Sequence, residues 1–144
     1  MEKRPVIIPE EIQLFNIESA LNKLDAAAFK KSDMHNLNVA HKIMHNLKDE
    51  RVKMELVFSF KNEQENEIAV FQLAFHFHIK NMANFYELNQ EGKPTFYAVL
   101  MATLLGISLS TARGIIFEKL ASNQIFNVIL PIFSPKKLMT KQKQ

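Results

Sequence analysis

Five histidines, a few hydroxyls and scattered carboxylates are the first candidates for chemistry in this chain, which has no cysteine. Without cysteine, disulfides, thiolate metal sites and cysteine nucleophiles are excluded. His76 and His78 stand two apart in an alternating apolar run and so share one side of a strand. His41 and His45 do the same in an earlier run. Four imidazoles on one sheet face are a possible transition-metal site. No Asp or Glu is built into either stretch, however, and a mixed polar outer face accounts for both pairs, so no metal is assigned. Ser108, Ser110 and Thr111 read as cap and first-turn residues of a helix rather than nucleophiles. The acids Glu10-Glu11, Asp49-Glu50, Glu63, Glu65 and Glu67 fall in solvated turns. Gly92, Gly106 and Gly114 are too far apart for a phosphate loop. No catalytic residue, ATP site or cofactor is expected, and the chain reads as a non-enzyme.

What remains is a chain rich in oily elements. At 144 residues it is one domain, 47% hydrophobic and 23% charged, far from the composition of disordered chains. Its twelve Phe concentrate between Phe58 and Phe96. Residues 52–60 alternate, with Val52, Met54, Leu56, Phe58 and Phe60 on one face, and residues 67–80 repeat the pattern with Phe71, Leu73, Phe75 and Phe77. That period predicts two half-buried strands joined as a hairpin through a polar loop. Residues 37–47 alternate too and make a second hairpin with residues 52–60 through the turn Lys48-Asp49-Glu50-Arg51. In residues 17–29, Ile17, Leu21, Leu24 and Ala28 sit at helical spacing in an Ala-rich stretch, which local propensity reads as helix. Residues 83–92 read as a polar connector. Two helices follow, at about residues 94–105 and 109–122, broken at Gly106-Ile107-Ser108. The expected fold is α+β, a four-stranded antiparallel sheet with two helices packed on one face.

The ends are expected to be subsidiary to a single domain spanning residues 1–144. Residues 1–14 form an arm whose apolar patch is interrupted by Pro5, Pro9, Glu10 and Glu11, unlike a signal peptide. Residues 139–144 form a disordered basic tail. The net charge is +3, with Lys136, Lys137, Lys141 and Lys143 lacking acidic neighbours in sequence. The longest apolar run, residues 96–107, is short of the roughly 20 residues that span a bilayer, so no membrane insertion is expected and the chain reads as soluble and cytoplasmic.

Four features together resemble the SecB-like family of secretion and antitoxin chaperones. Leu21-Asn22-Lys23-Leu24-Asp25 followed by Phe29 is similar to the family's first strand. The two long alternating strands are similar to its central hairpin. Thr111-Ala112-Arg113 is similar to a small-residue-plus-Arg step on its last long helix. Leu130-Pro131 followed by Leu138 is similar to its Leu-x-Pro-type tail with a late apolar anchor. The resemblance implies that residues 17–29 are a strand, against local propensity. It implies pairing of sheets into dimers and a dimer of dimers packed through the first helix. It implies an ATP-independent holdase that grips unfolded polypeptide in apolar grooves, serving either protein transport to the SecA motor or protection of an antitoxin. The secretion branch is markedly acidic where it meets the basic end of that motor. This chain is basic, so like charges set it apart from a SecA partner.

On this reading the client groove is built from the second helix, the strand at 37–47 and the segment after the second helix, with Leu37, Val39, Ile43, Ile115, Ile125 and Phe126 as contact residues. The oligomer interface uses Phe96, Val99, Leu100 and Leu104, because the first helix is apolar around more of its girth than one sheet can cover. The alternative is a helix-turn-helix regulator using residues 98–120, where Ala102, Gly106 and Thr111-Ala112 sit at that motif's spacing. Against nucleic acid, the would-be recognition helix offers only Arg113, Glu118 and Lys119 between Ile115, Ile116, Phe117 and Leu120.

Overall fold

The computed structural model describes residues 5–33 and 35–142. A short 3-10 turn at Pro9–Glu11 leads into β1, Ile12–Leu24. Then follow α1, Ala26–Lys31; β2, Asn36–Asn46; β3, Arg51–Lys61; and β4, Glu67–Ile79. The four strands form one antiparallel sheet in the order β1-β4-β3-β2. Of the arm expected at 1–14, residues 12–14 already belong to β1, and residues 1–4 lie outside the described ones.

Alternation does what it predicts. The odd-even split sends Val52, Met54, Leu56, Phe58 and Phe60 of β3 and Phe71, Leu73, Phe75 and Phe77 of β4 inward, all at most 3% exposed. Burying one such side chain stabilises the fold by about 1.5–3 kcal/mol. Each hairpin turn has its own side-chain staple. Asn46 accepts the backbone N–H of Asp49 and donates to its carboxylate, while Asn62 accepts from the N–H groups of Gln64 and Asn66. The Glu50 carboxylate accepts the N–H of Met82, tying the first turn to the far end of β4.

The strand expected at residues 17–29 holds only to Leu24. Asp25 turns the chain into α1, because its carboxylate accepts the N–H of Ala28 at 3.0 Å and its carbonyl accepts that of Phe29 at 2.9 Å. Phe29 then seals the sheet's end, 5.3 Å from the Phe60 ring and stacked at 4.1 Å on His35.

The residues expected as a polar connector and helix start form a small hairpin instead, β5, Tyr86–Leu88, with β6, Pro94–Phe96. Its turn needs Gly92, whose φ is +77°. One helix then spans what sequence divided in two: α2, Ala98–Ala121. Gly106 is helical, and Ser108, Thr103 and Thr111 turn their hydroxyls back onto the carbonyls of Leu104, Val99 and Ile107. A mid-helix glycine costs about 1 kcal/mol relative to alanine, which burial of Leu104, Leu105 and Leu109 on the sheet outweighs. The helix-turn-helix alternative at residues 98–120 fails on this point, since no turn separates two helices. By length and composition α2 is long and apolar enough to cross a bilayer, with mean hydropathy 1.7, yet Leu100, Met101, Leu104, Leu105, Leu109, Ala112, Ile116 and Leu120 lie buried on the sheet.

The chain after α2 closes with α3, Pro135–Gln142, started by Ser134, whose hydroxyl faces the N–H of Lys137 at 3.4 Å. Residues 139–142 are thus helical where a disordered tail was expected; residues 143 and 144 lie outside the described ones. Pro135 sits so close to α2 that a Cβ at Gly106 would lie 3.7 Å from its ring.

Candidate functional site

The segment joining α2 to α3 is neither helix nor strand, and its side chains divide sharply. Ile125 and Leu130 turn inward, 5% and 4% exposed, while Phe126, Ile129 and Ile132 are 61%, 66% and 90% exposed. Gln124 and Asn127 hold positive φ, which lets the chain bend without glycine. Arg113 fixes the segment from α2: its Nε donates to the carbonyl of Leu130 at 3.1 Å and its Nη2 to that of Pro131 at 3.2 Å.

This segment faces the inner side of β2. Between them lies a cleft of about 440 Å³, lined by Leu37, Asn38 and Val39 from the strand and by Ile132, Phe133, Ser134, Lys137 and Leu138 from the segment and α3. One side of β2 pairs with β3, and among the described residues no strand joins its other edge. An apolar cleft beside an open strand edge can take an extended polypeptide, through pockets for side chains and ladder bonds to its backbone. Phe126, Ile129 and Ile132 add three exposed apolar side chains on this one segment.

Of the expected contact residues, Leu37 and Val39 line this cleft. Ile43 lies further along the same face of β2, and Ile115 is half-buried on α2; neither lines it. Phe126 is exposed nearby on the same segment. Ile125 is core, since its N–H closes the end of α2 on the Leu120 carbonyl and its side chain points inward. The sequence reading missed Ile132, Phe133, Lys137 and Leu138 as lining residues. Their signal was Ile132-Phe133 caught between Pro131 and Pro135, two apolar residues that cannot be hidden by helical or strand periodicity.

The expected oligomer contacts divide likewise. Leu100 and Leu104 are wholly buried against the chain's own sheet and are core residues. Phe96 belongs to the β5–β6 hairpin, packed edge-on against Tyr86 and His45. Val99 remains on the surface, 41% exposed, on the side of α2 turned away from the sheet, together with Gly114 and Phe117.

The histidines do not converge. In register, His41 and His45 oppose Leu56 and Val52 on the inner face, whereas His76 and His78 oppose Lys53 and Arg51 on the outer one. Among the described residues no three of His, Asp and Glu group as metal ligands. Burial lowers the pKa of His41 from the usual 6.5. His76 bonds instead to the Glu18 carboxylate across the β1–β4 pair, beside Phe15, a bulge residue whose ring lies 5.1 Å under the Arg51 guanidinium.

The sheet order, the long helix on one face and the pinned segment beyond it define a SecB-like fold. No family model matches the chain, and no curated protein does. Among solved structures it is similar to the SecB-like chaperone Rv1957 of Mycobacterium tuberculosis, in complex with a ChAD peptide from the HigA1 antitoxin, with a TM-score of 0.51 and 16% identity over 85% of this chain and 86% of that one.

Proposed function

We propose that the protein is an ATP-independent chaperone that holds unfolded or partly folded polypeptide in the cleft between β2 and the α2–α3 segment. The observation that carries this reading is the cleft itself, with Ile132 90% exposed at its wall and the β2 edge beside it. Affinity comes from apolar burial and edge-strand pairing, without chemistry on the client. Likeness to a chaperone whose structure holds an antitoxin peptide favours an antitoxin or similar labile protein as client. The outer sheet face carries Lys23, Lys42, Arg51, Lys53 and Lys61 against Glu18, Glu55 and Glu67, a basic excess that disfavours docking to a basic SecA tail. The outward side of α2, with Val99 and Phe117, is the surface we assign to pairing of subunits, on the way to a dimer of dimers.

The test is retention of a chemically unfolded model protein, read as suppressed aggregation. Ile132→Asp alters a side chain with almost no contacts in the folded chain, so it should leave stability intact and weaken suppression several-fold. If neither the parent protein nor the variant slows aggregation, the chaperone reading is wrong.

A further inference from the structure

The two walls of the cleft share a property that apolar lining alone does not require. Neither β2, Asn36–Asn46, nor the chain from residue 125 to 142 contains a single Asp or Glu. Lys137 lines the cleft and is solvent-exposed, and it is a partner neither in the Glu91–Lys93 ion pair nor in the Glu18–His76 contact. Lys136 precedes it on α3; Lys42, further along β2, stands on the outer sheet face opposite Glu55 and plays no part in the cleft. Just before β2, the Asp33 backbone N–H donates to the Glu63 carboxylate at 3.0 Å.

We propose that this cleft selects extended segments whose apolar anchors are flanked by Asp or Glu. The inference rests on the chaperone reading and narrows its client class. Leu37, Val39, Ile132 and Leu138 provide an apolar seat that accepts many side chains of suitable size. Such a seat discriminates weakly between sequences. Charge supplies what it lacks. A carboxylate one or two residues from the seated anchor comes within reach of Lys137, and no acidic group on either wall opposes it. A lysine in the same place meets Lys137 and gains nothing in return. One well-placed, partly exposed ion pair is worth up to about fivefold in affinity.

The experiment is fluorescence anisotropy of the full chain with three labelled synthetic peptides of one apolar pattern, flanked by Glu, by Ser or by Lys, at low and high salt. The expected order is Glu, then Ser, then Lys, with about fivefold between the first two at low salt and a narrower gap at high salt. Lys137→Glu should invert the order, whereas Lys93→Glu, on the β5–β6 turn, should leave it unchanged. Equal affinity for all three peptides overturns the selectivity and leaves the chaperone reading standing, as does tightest binding of the Lys peptide or an order indifferent to Lys137→Glu. Failure of every peptide to bind, with no retention of unfolded protein, overturns both.

Discussion

Arg113 and Leu130 are joined by a 3.1 Å hydrogen bond from Nε to the backbone carbonyl, and this contact, with its neighbour to Pro131, sets where the cleft's outer wall stands. A guanidinium bonding two successive carbonyls is a rigid fork rather than a single tether. It leaves Phe126, Ile129 and Ile132 facing outward on a segment with no secondary structure to hold it.

Arg113→Leu keeps the helix and removes both bonds. Loss of bonds from a charged donor at a partly exposed site costs about 1–2 kcal/mol, and the loss should be local. Chymotrypsin should cut at Phe126 and Phe133 several-fold faster than in the parent, with a much smaller change in the urea midpoint. Unchanged cleavage would show that the segment is held by Ile125 and Leu130 alone.

Asp25 starts α1 through its bond to the N–H of Ala28. Asp25→Ala should cost about 1 kcal/mol, seen as a lower urea midpoint, and Asp25→Asn should recover most of it. Equal loss in both variants would point to something other than capping.

Val99 and Leu100 are neighbours with opposite fates, 41% and 0% exposed. Leu100→Glu buries an unpaired charge in the core and should abolish folding. Val99→Glu should leave circular dichroism unchanged and lower the mass measured by light scattering. An assembly that survives Val99→Glu intact removes this side of α2 from the subunit contact.

His41 gives a pH dependence of definite sign. Burial lowers its folded pKa below the usual 6.5, so the unfolded chain binds this proton more tightly. Its effect is absent well above 6.5, and stability falls as the pH drops through that value until the folded histidine titrates too. His41→Gln should flatten this part of the urea-midpoint profile between neutral and mildly acidic buffer. Identical slopes in parent and variant would exclude His41 as the source.

The period of two in β2, β3 and β4 is a local property, so sequence was sufficient to identify the strands and the inward Phe residues. The capping signal at Asp25 was present as well, but a family-like strand pattern over residues 17–29 hid it, and the Ala-rich propensity for helix prevailed after Leu24.

What sequence by itself determined was the composition of the elements: which faces are oily, where two hairpins turn, that no thiol chemistry is available, and that an α+β sheet would need a helix to cover it. Tertiary structure alone decided the rest. Gly106 and Ser108 look like a break until the sheet beneath α2 supplies enough burial to carry a helix through them. Ile125 and Phe126 are adjacent and equally apolar, yet one is core and the other exposed, because the Arg113 fork and the Leu120 carbonyl fix which way the segment turns. Each of these outcomes depends on a partner distant in sequence, and no local pattern encodes where that partner will lie.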